Sequence, residues 1–193
     1  MKKILLPLIA GSVAIGSAHA VDLRQYVSLK VADVVSGNMN IDYDDGVFTF
    51  NENHKAKEFF GGSLAYGVKL SDFRVELEAN IYSKAKFRGM GALGVNNTSL
   101  FVNAYYDLRT NSPFVPYVGA GLGYNRINIS EPGYDDTDAS LGIKANIGVL
   151  WEINDMFGLD IGYRYNHFGT FSDPDVDVEI SGHELALGAR ISF

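Results

Sequence analysis

Glu76 and Glu78 stand two residues apart, the spacing at which side chains share one face of an extended chain. Paired carboxylates can work as general acid and base on a glycosidic bond. They can equally form ion pairs with cations on neighbouring strands, and that structural role is the expected one here. Ser181 and His183 repeat the spacing, and His167 lies on the preceding segment. Hydroxyl, imidazole and an orienting acid are the parts of an acyl hydrolase. Glu184, however, points away from His183 on an extended chain, so no catalytic residue is expected. A third group is "DPDVDVE", in which Asp173, Asp175, Asp177 and Glu179 offer hard oxygen ligands to a divalent cation. With Glu184 in the twelfth position the run superficially resembles an EF-hand loop, but Val178 occupies the sixth position, where the turn needs glycine. The absence of cysteine and of any His-x-x-x-His pair argues against a zinc site, and no cofactor is expected.

The elements that must position these groups follow from the chain as a whole. Lys2 and Lys3 precede an apolar run from Ile4 to Ile15, which closes on Ala18-His19-Ala20, the pattern of a secretory signal. Residues 1–20 are therefore expected to be removed, leaving residues 21–193 as one domain. Without Lys2 and Lys3 the chain carries 14 basic and 23 acidic residues, a formal balance of −9. That sign disfavours a nucleic-acid partner. An exported chain without cysteine needs a source of stability other than disulfides, and a closed barrel supplies one. No apolar run after the signal approaches the roughly 20 residues of a membrane helix, whereas a membrane strand needs only about 10.

Eight segments have the length and composition of such strands: Gln25 to Val35, Phe59 to Leu70, Phe73 to Phe87, Thr98 to Arg109, Phe114 to Ile129, Ser140 to Asn154, Met156 to Gly169 and His183 to Phe193. Long connectors (Ser36 to Glu58, Gly89 to Asn97, Ser130 to Asp138, Thr170 to Gly182) alternate with tight ones at Ser71-Asp72, Thr110 to Pro113 and Asn154-Asp155. Outer-membrane barrels connect their strands in this way, with short periplasmic turns and longer outer loops.

One phase of each segment is apolar, as in Val75, Leu77, Ala79 and Ile81, or Leu159, Ile161, Tyr163 and Tyr165. The other phase carries Lys30, Lys69, Arg74, Lys84, Lys86, Arg109, Lys144, Arg164 and Arg190 against Glu76, Glu78, Asp107, Glu152, Asp160 and Glu184. A soluble barrel with an apolar interior fits the same alternation. Aromatics at both ends of the apolar phase, glycines concentrated on the charged phase and the export signal favour the membrane arrangement. The charges then face inward, and with about eight strands side chains fill the lumen. An ion-pair network of Arg74, Glu76, Glu78, Lys84, Lys144, Glu152, Asp160, Arg164, Glu184 and Arg190, formed between adjacent strands, is expected to plug it.

"PYVGAGLGY" (Pro116 to Tyr124), "FRVELEA" (Phe73 to Ala79) and the closing "LGARISF" resemble the opacity-type surface antigens, relatives of the OmpA transmembrane domain and OmpX. The resemblance spans essentially the whole mature chain through short, degenerate pieces. It implies an all-β fold, an eight-stranded antiparallel up-and-down transmembrane β-barrel in the outer membrane of a Gram-negative cell. It also implies that Phe193 and its alternating predecessors are read by the barrel-assembly machinery. The periplasmic peptidoglycan-binding domain of full-length OmpA proteins is not expected after Phe193, and the loops resemble no recognised adhesin, which leaves the partner open.

The function expected on this basis is that of a non-enzymatic outer-membrane protein, a surface antigen, adhesion or envelope-structural protein. Its partners would be outer-membrane lipid, lipopolysaccharide and a host or cell-surface ligand met by acidic loops. The alternatives are an acyl hydrolase modifying lipid A and a small porin.

Overall fold

The computed structural model describes residues 23–44, 49–55, 60–85, 94–131, 134–173 and 176–193. All regular structure there is strand: β1 Leu23–Asp44, β2 Thr49–Lys55, β3 Phe60–Leu70, β4 Phe73–Ala85, β5 Gly94–Asp107, β6 Phe114–Glu131, β7 Tyr134–Glu152, β8 Phe157–Asp173 and β9 Val176–Ser192. Every pairing is antiparallel, and the sheet order β2-β1-β3-β4-β5-β6-β7-β8-β9 closes through a further pairing of β1 with β9. Eight strands thus form an up-and-down wall, while β2 pairs with the distal part of β1, from Asn38↔Lys55 to Asp44↔Thr49. At the seam Phe193 and Gln25 exchange backbone hydrogen bonds, Phe193 N to Gln25 O at 2.9 Å and Gln25 N to Phe193 O at 3.3 Å. Closure leaves the part of the wall inward of Ile143↔His167 without a free edge and satisfies its backbone polar groups within the sheet, as a lipid environment requires.

The period-2 pattern sorts the side chains. Leu29, Leu77, Leu122, Ile147, Ile161 and Leu187 point out of the wall and are largely exposed, with Leu122 at 70 % and Ile161 at 62 %. Their chain neighbours on the other phase, among them Glu76, Glu78, Asn103, Lys144 and Glu184, are buried. An apolar exterior around a polar interior inverts the arrangement of a water-soluble barrel; its solvent is hydrocarbon. Aromatics end the apolar band. Phe73 and Tyr106 pack with ring centroids 5.1 Å apart, and Phe114 stacks on Trp151 at 5.8 Å, all beside the tight turns. At the opposite end lie Phe60, Tyr124, Tyr163 and Tyr165, after which β6 turns polar at exposed Arg126. These positions suit the two membrane interfaces. Phe87, expected at the outer interface, lies outside the described residues.

The tight turns have local causes. Ser71 takes φ 57°, the left-handed conformation that a two-residue hairpin loop demands. In the β7–β8 turn Asn154 Oδ1 accepts hydrogen bonds from the amides of Met156 at 2.9 Å and Phe157 at 2.8 Å, so the side chain closes the reversal.

The outer ends of the strands depart from the sequence expectation. Ser36 to Glu58, Ser130 to Asp138 and Thr170 to Gly182 are not simple connectors. The β1–β2 ladder reaches Asp44↔Thr49, β6–β7 reaches Glu131↔Tyr134 and β8–β9 reaches Asp173↔Val176. Beyond the lipid neither face must be apolar, so the alternation that marks a strand fades while the backbone ladder continues. The wall also divides there, because β7 and β8 pair only from Ile143↔His167 inward. A bulge between His167 and Gly169 sets the division. The Phe168 carbonyl accepts from Asn125 Nδ2 at 2.9 Å and from the Ser140 hydroxyl, and Gly169 adopts φ 99°, where other residues are strained.

Candidate functional site

Two places gather chemistry-bearing side chains, the lumen and the outer rim where β8 meets β9. In the lumen Glu78 is the hub. Its carboxylate accepts from Lys144 Nζ at 3.0 Å, Arg164 Nη1 at 2.8 Å and Asn103 Nδ2 at 2.9 Å. Glu76 accepts from Lys30 Nζ at 3.2 Å and the Tyr26 hydroxyl at 3.0 Å. Nearer the tight turns Arg74 Nε lies 2.7 Å from Asp107 Oδ1, and Lys69 Nζ lies 3.3 Å from both Asp107 and Glu152. Asp160 accepts from the Tyr117 hydroxyl at 2.7 Å and faces Arg190 Nη2 at 3.7 Å, while Arg164 Nε lies 4.0 Å from Glu184.

These contacts correct the expectation of pairing between adjacent strands. Arg74–Asp107 and Arg190–Asp160 do join neighbours, but Glu78 on β4 meets Lys144 on β7 and Arg164 on β8. In the closed order β8 lies four strands from β4, so that link spans the lumen. An interior this narrow brings long side chains from opposite walls into contact.

Arg109, also expected inside, is exposed at the turn end, where its Nε lies 2.6 Å from Asp72 Oδ1. It follows the end of β5 at Asp107, where the wall no longer dictates direction. Glu152 sits half-exposed at the same mouth. The side chain of Lys84 and all of Lys86 lie outside the described residues.

Aromatic rings do much of the filling, a feature the charge pattern did not reveal. The Arg74 guanidinium lies 4.4 Å from the Tyr105 ring centroid and 4.9 Å from that of Tyr117, and Arg190 lies 4.2 Å from that of Tyr26. Such placements are attractive and tolerate burial of the cation. The glycines make room for the rings. A Cβ on Gly67 would fall 2.1 Å from the Tyr26 ring, and one on Gly123 would fall 2.5 Å from that of Phe101. Glycines facing large side chains on the next strand were the available sequence signal. Apolar clusters bracket the ionic centre, with Tyr105, Val115, Tyr117 and Leu150 toward the turns and Val34, Tyr82 and Phe168 toward the outer end. A cavity of about 410 Å³ occupies the turn-side mouth, lined by Arg24, Lys69, Arg109, Glu152 and Arg190 and floored by Val115 and Leu150.

At the outer rim Ser181 and His183 do share the outward phase, but His183 is otherwise engaged. Its Nδ1 hydrogen-bonds with the Tyr163 hydroxyl at 2.5 Å, and its ring packs 5.0 Å from Tyr165. Glu184 is fully buried on the lumen side. The residue facing Ser181 across the ladder is His167, whose Nδ1 lies 3.4 Å from Glu179 Oε1. Glu179, one of the four acidic residues expected from the sequence to bind a cation, thus contacts an imidazole. The side chains of Asp173, Asp175 and Asp177 lie outside the described residues. Among the described residues no three His, Asp or Glu side chains converge as metal ligands.

Known proteins agree with this architecture. The outer membrane protein PagN of Salmonella typhimurium is 24 % identical over 179 residues, covering 72 % of this chain and 75 % of that one. The opacity protein opA57 of Neisseria gonorrhoeae is 26 % identical over 151 residues, which span 62 % of this chain and only 59 % of the relative. Among solved structures, Neisserial surface protein A superposes with a TM-score of 0.65 at 25 % identity, covering 88 % of this chain and 97 % of that one. OprG from Pseudomonas aeruginosa shares the fold at a TM-score of 0.58 and 16 % identity, over 90 % of this chain and 96 % of that one. Residues 4–193 match the outer membrane protein beta-barrel domain, a span that includes every strand of the closed wall, and the chain therefore belongs to that family of Gram-negative outer-membrane proteins.

Proposed function

We propose that the protein is a surface-contact protein, a closed barrel that holds acidic β-hairpins above the outer membrane as surface antigen, adhesin or envelope-structural element. The observation that carries this reading is the continuation of the ladder past the aromatic band. The β6–β7 hairpin remains paired to Glu131↔Tyr134, and β9 stays paired with β1 as far as Tyr43↔Val176. Hairpins whose backbone is ordered before contact lose less conformational entropy on binding than free loops do. The outer segments of the sequence include Asp42, Asp44, Asp45, Asp135, Asp136 and Asp138, so a partner would meet negative charge. The likeness to opacity proteins and PagN supports a role at the cell surface. Phe193, whose backbone completes the seam, fits the recognition signal for the assembly machinery, and residues 1–20 fit a cleaved leader.

Deleting the β1–β2 hairpin while matching surface levels should lower attachment of expressing bacteria to host or neighbouring cells. Unchanged attachment would remove that hairpin from the account. In the same reading the lumen is closed to diffusion, because cross-lumen ion pairs lie between two apolar clusters. Purified protein in planar bilayers should give no stable open steps, and large sustained conductance would favour the porin alternative.

A further inference from the structure

We propose that Ser181, His167 and Glu179 form an esterase site on the lipid-facing side of the outer rim, acting on carboxylic esters of amphiphiles in the outer leaflet. The inference is independent of the contact role of the hairpins. It also departs from the sequence expectation of a protein without catalysis.

The three residues come together through the ladder. Glu179, Ser181, His183 and Leu185 occupy successive outward positions on β9, and His167 is the direct partner of Ser181 on β8. Directly opposed residues of an antiparallel pair have Cβ atoms about 4.5–5.5 Å apart, so hydroxyl and imidazole share one patch. The contact of His167 Nδ1 with Glu179 Oε1 at 3.4 Å gives the imidazole its orientation. A carboxylate at Nδ1 favours the proton there and leaves Nε2 as the base toward the hydroxyl. Among the described residues the Ser181 hydroxyl makes no hydrogen bond, with His167 or with any other group, so no competing partner holds it and its contact with Nε2 is part of the proposal. The His167 side chain is 27 % exposed and that of Glu179 44 %, so the patch is reachable from outside the wall.

Position selects the substrate class. Tyr163, Tyr165 and His183 mark the outer interface, and Ser181 lies two residues beyond His183. A tilted strand rises about 3.3 Å per residue along its axis, so the hydroxyl stands roughly 5 Å above the aromatic ring. That places the hydroxyl on the head-group side of the aromatic belt, beside the esters that tie acyl chains to polar head groups. In the reaction Nε2 takes the Ser181 proton as Oγ attacks the ester carbonyl. The tetrahedral adduct collapses, and the leaving oxygen departs as an alcohol with that proton. Water, deprotonated by the same nitrogen, then attacks the acyl-serine, releases the carboxylic acid and restores the Ser181 hydroxyl. The net change is ester plus water to alcohol plus acid.

The test uses the full-length protein refolded into vesicles of either a diacyl glycerophospholipid or an acylated glucosamine glycolipid, with released fatty acid measured by mass spectrometry. A fluorophosphonate probe, which labels activated serines, provides a second readout. Release from either vesicle type supports the site, and the active vesicle identifies the source of the ester. Ser181→Ala should remove release and labelling, His167→Ala should bring release to background, and Glu179→Gln should lower it by roughly 100-fold or more. His183→Ala should retain release, because that ring belongs to the Tyr163 contact. Folded-form mobility on gels must match wild type in each variant. Absence of release from both vesicle types together with no label at Ser181, or full release by Ser181→Ala, would overturn the proposal.

Discussion

Glu78→Ala is expected to lower the unfolding free energy of the membrane-embedded barrel by about 3–5 kcal/mol, the cost of removing one partner from a buried ionic group. The size of the effect follows from what remains. Lys144 and Arg164, both buried, lose the carboxylate that lies 3.0 Å and 2.8 Å away, and Asn103 loses its acceptor. Glu184, at 4.0 Å from Arg164, can compensate only in part. Substituting Glu78→Leu and Lys144→Leu together should recover a substantial part of the loss, since apolar residues of similar volume often replace buried pairs without harm. Urea titration of protein refolded in lipid vesicles measures both effects. A loss below about 1 kcal/mol for Glu78→Ala would mean that water screens the network as it screens a surface pair.

Ile161→Arg carries the second large effect, about 2–4 kcal/mol, because it places a cation on the hydrocarbon face near the middle of the apolar band. On β8 the outward series runs Phe157, Leu159, Ile161, Tyr163, Tyr165, so Ile161 lies midway between the aromatic ends. Its register partners are Val149 and Leu187, both also exposed, and neither can shield the charge. Phe157→Arg, at the interface, should cost only about 0–1 kcal/mol, since the side chain reaches the head groups. The contrast between the two positions is the informative quantity. Equal effects at both would show that the outer face is not graded by membrane depth.

Much of the wall was legible in the sequence because a two-sided barrier leaves a two-residue period. Val75, Leu77, Ala79 and Ile81 had to face lipid, and Arg74, Glu76, Glu78 and Asn80 then had to face inward. The long outer extensions were not legible. Once a strand leaves the bilayer, nothing forces one face to be apolar, although the ladder between β1 and β2 continues from Asn38 to Asp44. Ion-pair partners were hidden for another reason. Alternation gives the face of a charge, whereas the link from Glu78 to Arg164 depends on barrel diameter and side-chain reach. At the rim, Glu184 was weighed as the acid while Glu179, two residues before Ser181 and on its face, was available from the same rule. Only the register of β8 against β9 showed that His167 stands opposite Ser181.

The outward orientation of the apolar phase is tested most directly with Trp151, the single tryptophan of the sequence, 43 % exposed beside Phe114 in the turn-side aromatic band. In vesicles of phospholipids brominated at defined depths, its fluorescence should be quenched most strongly by bromines near the head groups. With Trp151→Phe and Ile161→Trp combined, quenching should shift to bromines deeper in the acyl chains. Emission insensitive to brominated lipid in both proteins, and quenched instead by aqueous acrylamide, would contradict a barrel whose apolar face lies in the membrane.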